Sequence, residues 1–230
     1  MRKFFTLIAV SLLTIGAYAQ GTFALTEGAT PDPATPVTSV NGITLTYPDE
    51  GTWLAAAAYA NKADADFTAY TKGNGVSGAF TEGRAPTGCY YEFAPTADGT
   101  LTVAICANAA KPFYVVAKNN GAYTALEDSK LTIMSDASTT ATLDENHALA
   151  AKIYGTVAFD VTAGETYDVL ITGSKLGFFG FKFATSSSTA IKTVATAEQA
   201  ANTAVYNLAG QRVNKSFKGL VISNGKKFIR

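Results

Sequence analysis

The sequence predicts an all-β fold: an antiparallel β-sandwich of jelly-roll type, followed by a short C-terminal β-hairpin module. Three observations predict it. Short runs alternate apolar and polar residues at a period of two, as in Leu101/Val103/Ile105 and Tyr167/Val169/Ile171. Gly, Pro, Asn and Asp punctuate these runs at regular spacing, as sandwiches and jelly rolls require. No helical pattern alternates with the strands, which disfavours a parallel α/β sheet. Composition agrees, because only 16% of the 230 residues are charged, against ~25% in ordinary globular chains. Uncharged polar side chains suit strand faces and turns.

Residues 1–19 read as a signal peptide. Arg2 and Lys3 lead an uncharged run from Phe4 to Ile15, and Ala17-Tyr18-Ala19 is a small-x-small cleavage site that leaves Gln20 first. The run is shorter than the ~20 residues a spanning helix needs. No later segment is long and apolar enough to span a bilayer, so no transmembrane span is expected in the mature chain. Residues 20–38, with Pro31, Pro33 and Pro36, read as a flexible leader. Residues 39–183 form the sandwich. It opens with a strand over Asn41–Tyr47. Residues 53–70 are Ala-rich and predict a short helix. Residues 72–88 are Gly-rich and predict a long surface loop.

Cys89–Phe93 and Leu101–Cys106, around Pro95-Thr96-Ala97-Asp98-Gly99, predict a hairpin that sets Cys89 opposite Cys106. Two readings of this pair stand: a disulfide, which export permits, or two buried thiols. Further strands are predicted at Pro112–Val116, Leu131–Met134, Thr156–Val161, Tyr167–Ile171 and Leu176–Phe183. In the last, Phe179, Phe181 and Phe183 share one face and Phe178 takes the other. Residues 184–203 read as a Ser/Thr/Ala-rich linker. Residues 204–230 regain strand character, with Asn224-Gly225 as a hairpin turn.

The net charge of zero hides an asymmetry. The tail from 211 onward carries Arg212, Lys215, Lys218, Lys226, Lys227 and Arg230 without an acid, whereas residues 20–210 hold 10 Lys/Arg against 18 Asp/Glu. An acidic body argues against nucleic acid as a partner, since phosphates demand clustered cations.

Chemistry-bearing motifs are sparse. His147 is the single histidine, too few for a His/Cys metal centre. Asp144 and Glu145 are the candidates for a structural calcium ion, a hard cation that takes oxygen ligands; no other cofactor is expected. Acids are scattered, so a catalytic carboxylate pair is not legible. Aromatic side chains able to stack on sugar rings are Trp53, Tyr59, Tyr70, Tyr90 and Tyr123, with Phe178 as an off-core aromatic.

Two resemblances add to this reading. The tail VYNLAGQRVNKSFKGLVISNGKKFIR resembles the short C-terminal segment of exported Prevotella-type Bacteroidetes proteins, through Tyr206, Asn207, Leu208, Gly210, Gln211 and Val213 and then Lys218, Gly219, Leu220, Ile222, Asn224, Gly225, Lys226 and Lys227. It also resembles the C-terminal sorting domains of type IX secretion cargo, departing from them in its shortness and in Val221, where the longer form favours Tyr. This likeness implies an export-machinery partner. The stretches FAPTADGTLTV, KPFYVV and AGETYDVLITGSKLGFFGFKF are similar to β-sandwich domains found beside carbohydrate-active enzymes in the same bacteria, and imply a carbohydrate-binding-like accessory role. The expected function is a secreted or cell-surface, non-enzymatic β-sandwich protein whose partner is a polysaccharide or cell-surface glycan. The alternatives are a structural or adhesive surface protein with no small ligand and, more weakly, a polysaccharide-degrading enzyme.

Overall fold

The computed structural model describes residues 20–38, 42–48, 53–186, 205–207, 212–213, 218–223 and 226–229. They fall into two compact units that divide at Ser187 and Ser188. The signal-peptide segment and most of the linker lie outside the described residues.

The first unit is a sandwich of two antiparallel sheets. Its strands are β1 (Gln20–Ala24), β2 (Val37–Thr38), β3 (Ile43–Thr46), β4 (Ala57–Ala58), β5 (Ala69–Lys72), β6 (Tyr91–Pro95), β7 (Gly99–Ala107), β8 (Phe113–Asn119), β9 (Ala122–Ala125), β10 (Thr132–Met134), β11 (Thr140–Ala141), β12 (Ile153–Val161), β13 (Thr166–Ile171) and β14 (Gly177–Thr185). One sheet runs β11-β10-β12-β7-β14-β5-β4, with β1 also paired to β14; the other runs β2-β3-β6-β13-β8-β9. Alternation decides the packing. Leu101, Val103 and Ile105 of β7, Val157, Phe159 and Val161 of β12, and Tyr167, Val169 and Ile171 of β13 all enter one core. Among the described residues no helix is long and apolar enough to cross a membrane.

Four expectations are corrected. Residues 20–24 are not a loose leader, because β1 pairs with β14 from Gln20↔Ala184 to Ala24↔Gly180 and Leu25 is buried. Residues 53–70 are not a helix. Asn61 closes a turn there, its Oδ1 accepting from the Ala63 and Asp64 amides while its Nδ2 donates to the Gly155 carbonyl, and tertiary contacts outweigh alanine's propensity. β6 and β7 do not form a hairpin. They lie in different sheets, so Asp98-Gly99 is a corner that carries the chain across the core. A side chain at Gly99 would collide with the Phe183 ring and the Ala184 carbonyl. Finally, a bulge in β14 slips the register between Phe178↔Ile105 and Gly180↔Ala104. Phe178 therefore joins Phe181 and Phe183 in the core, and Phe179 points to the outer face.

The second unit is a sheet ordered β16-β15-β17-β18, from β15 (Val205–Asn207), β16 (Arg212–Val213), β17 (Leu220–Ser223) and β18 (Lys226–Ile229). Pairing from Leu220↔Ile229 to Ser223↔Lys226 brackets positions 224–225, the predicted hairpin turn, which lie outside the described residues.

Gly180 sits at φ 147°, and a Cβ there would meet the Phe23 carbonyl oxygen and the Phe67 ring. Gly180→Ala should lower unfolding free energy by about 2 kcal/mol or more. Urea denaturation at fixed pH checks this; an unchanged midpoint would show that the bulge tolerates a side chain.

Candidate functional site

The outer face of the eight-stranded sheet carries a second aromatic cluster. Phe67, Ala104, Cys106 and Phe179 are buried there, with Tyr70 and Tyr154 against them. Tyr70 packs on Phe179 at 5.1 Å between ring centroids, and Tyr59 stacks on Tyr154 at 4.1 Å. Tyr59 meets Tyr70 edge-on at 6.0 Å. Lys152 Nζ lies 4.9 Å from the Tyr154 ring centroid, a cation–π contact. Two predicted residues, Tyr59 and Tyr70, are thus brought together, and Tyr154 joins them. Tyr154 was legible by extending the strand at 156–161 back by one pleat, since it falls out of phase with Val157.

Beside this cluster opens a cleft of about 270 Å³ whose lining includes Tyr70, Cys106, Asn108, Lys72, Lys152 and Lys175. One row of the sheet forms its floor: Lys72 pairs with Gly177, and Gly177 with Cys106. Gly177 makes the depth, because a Cβ there would stand 2.8 Å from Cys106 Cβ and 3.0 Å from the Tyr70 ring. The rim is tied down. The Gly78 amide donates to the Ser174 carbonyl at 3.0 Å, the Gly173 amide donates to the Gly78 carbonyl at 2.9 Å, and Asn108 Nδ2 donates to Ser174 Oγ at 2.9 Å. Tyr91 Oη donates to the Leu176 carbonyl at 2.8 Å from the core side. Burial pushes the Tyr70 phenol and the Cys106 thiol above their ordinary ranges, opposed in both by the Lys152 charge.

The other predicted residues lie elsewhere. Trp53 is a core residue, 5% exposed, against Tyr47 at 5.4 Å and Tyr91 at 5.0 Å. Its bridge to Gly73 draws the chain close enough to insert the indole. Phe178 stacks on Tyr91 at 4.6 Å inside the core. Neither presents a face to a ligand. Tyr90 and Tyr123 belong to the six-stranded sheet's side, where Tyr123 lies under Lys118 Nζ at 5.5 Å. Cys89 and Cys106 are both buried thiols, and no disulfide joins them; Cys89, in the bend before β6, joins the sandwich core, and Cys106 of β7 joins the outer aromatic cluster. Asp144 Oδ1 accepts from the Asn146 and Ala148 amides, so it serves a turn. Among the described residues no three His, Cys, Asp or Glu side chains are grouped to hold a metal. His147 Nδ1 lies 3.0 Å from both Asp128 carboxylate oxygens.

One carboxylate pair is close by register. Glu92 and Asp168 are direct cross-strand partners, a placement that sets Cβ atoms ~4.5–5.5 Å apart. Asp168 is 1% exposed and its Oδ1 lacks a hydrogen-bond partner. Desolvation, and then the Glu92 charge, push its carboxyl up to about 7, against the opposing charge of Lys118. A carboxyl so enclosed cannot reach a substrate. No protein-family model matches the chain, and no curated protein matches it.

Because an unfolded aspartate titrates near ~3.9, the native state alone holds this proton between about 4 and about 7. Stability should therefore fall as pH rises through that window, by up to ~1.4 kcal/mol per pH unit. Asp168→Asn should flatten the profile and exceed the parent at pH ~8. Urea midpoints at four pH values check this; a flat parent profile would remove Asp168 as the cause.

Proposed function

We propose that this chain is a secreted or cell-surface, non-enzymatic β-sandwich protein that binds carbohydrate at the tyrosine-walled cleft. The observation that carries the reading is the cleft itself. Tyr70 supplies an aromatic wall, with Tyr59 and Tyr154 packed edge-on against it at 6.0 Å, and Ser77, Asn108 and Ser174 supply neutral hydrogen-bonding groups on a braced rim. Sugar rings need that combination: an apolar face to stack on and fixed polar groups to orient the hydroxyls. Export is supported by the sequence of residues 1–19, where Arg2 and Lys3 lead an uncharged run and Ala17-Tyr18-Ala19 forms a small-x-small cleavage site. We assign the C-terminal unit to contact with the export machinery, on the resemblance of its sequence and the hairpin pairing of β17 with β18.

Two experiments test these assignments. On a glycan array the protein should select a limited set of saccharides, and Tyr70→Ala should weaken the best of them by about tenfold, or 1.4 kcal/mol. Tyr123→Ala, remote from the cleft, should not. Absence of binding to every saccharide would favour a structural surface role instead. Truncation after residue 203 in the native host should leave the protein in the periplasm; normal surface delivery of the truncated chain would dismiss the sorting role.

A further inference from the structure

The charges around the cleft run against those of the rest of the domain. Residues 20–210 contain 10 Lys/Arg and 18 Asp/Glu, yet among the described residues the cleft is lined by Lys72, Lys152 and Lys175 and by no acid. A fourth cation stands at its margin, with Lys111 Nζ 3.9 Å from where a Cβ on Gly173 would be. Among the described residues, the ion pairs of Lys and Arg side chains are those of Lys182 with Asp64 and Asp66. None engages a cleft lysine. Like charges held together without counter-ions repel one another, and an anion entering between them relieves that repulsion. Lys152 is held in place by Tyr154, whose ring it overlies at 4.9 Å, so one of the cations is oriented before any ligand arrives.

We propose that the cleft selects an acidic saccharide, whose carboxylate or sulfate group lies between Lys72, Lys152 and Lys175 while a sugar ring packs on Tyr70. This rests on the carbohydrate reading above and narrows it. Asn108 and Ser174, already joined to each other, sit on the same lining and are placed for the sugar hydroxyls. Charge-assisted hydrogen bonds are about twice as strong as neutral ones, so the anionic group should dominate the choice among otherwise similar sugars.

The test is calorimetric titration of the purified full-length protein with oligogalacturonate, its methyl ester, sulfated dextran oligosaccharide, neutral dextran oligosaccharide and inorganic sulfate. Oligogalacturonate or the sulfated oligosaccharide should bind at least about tenfold more tightly than its uncharged counterpart, and binding should weaken as salt is raised. Lys152→Met and Lys72→Met keep the apolar stem on exposed side chains. Each should weaken the acidic ligand by roughly fivefold or more with an unchanged thermal midpoint. Equal affinity for charged and neutral forms, with Tyr70→Ala harmful and the lysine variants silent, would overturn the acidic preference and leave the carbohydrate reading standing. Inorganic sulfate as tight as the sulfated sugar would overturn the saccharide and make this a free-anion site. No binding by any saccharide would remove both readings together.

Discussion

The bulge in β14 is the constraint on which the rest of the domain depends. One extra residue between Phe178 and Gly180 divides a run of aromatics between two faces. Phe178, Phe181 and Phe183 fill the sandwich, and Phe179 is delivered to the outside of the same sheet. An exposed phenylalanine on a sheet face has to be covered, and Phe67 and Tyr70 cover it. The segment that bears them is drawn across the outer face, anchored by Asn61 to Gly155 and by the Lys182 bridges to Asp64 and Asp66.

The cleft follows from that covering. It opens where the segment ends, beside Tyr70, at the one position of the local row where glycine leaves the floor low. The core side is rigid below it: Tyr91 packs on Phe178 and holds the Leu176 carbonyl. The loops above it are bonded to one another. A site built this way is shaped before a ligand arrives, which favours recognition by fit and charge. The buried Asp168 on the other sheet works against stability at neutral and higher pH, and nothing in its surroundings turns that cost into chemistry.

Much of the fold was legible because alternation is a local property. Val157/Phe159/Val161 and Tyr167/Val169/Ile171 declare their inward faces by spacing alone. The site was legible only in part. Tyr59 and Tyr70 stood out as aromatics off the expected core, and they do meet. Trp53 and Phe178 stood out for the same reason and are interior. The difference between the two pairs is not local: an isolated bridge to Gly73 inserts Trp53, and a one-residue slip turns Phe178 inward. Lys152 and Lys175 carried no signal, because a lone lysine beside a strand looks like any solubilising charge.

The sequence by itself determined that the chain is all-β, that its apolar faces are those of a two-sheet sandwich, and that a basic C-terminal segment follows an acidic body. Those properties depend on period, turn chemistry and composition, each readable within a few residues. Only the tertiary structure decided that β6 and β7 part into different sheets, that Cys89 and Cys106 sit apart as thiols, and that three lysines distant in sequence line one cleft. Such outcomes depend on which sheet each strand joins and where a register slips. Both are settled by burying all the apolar faces at once, and no local run of residues contains that information.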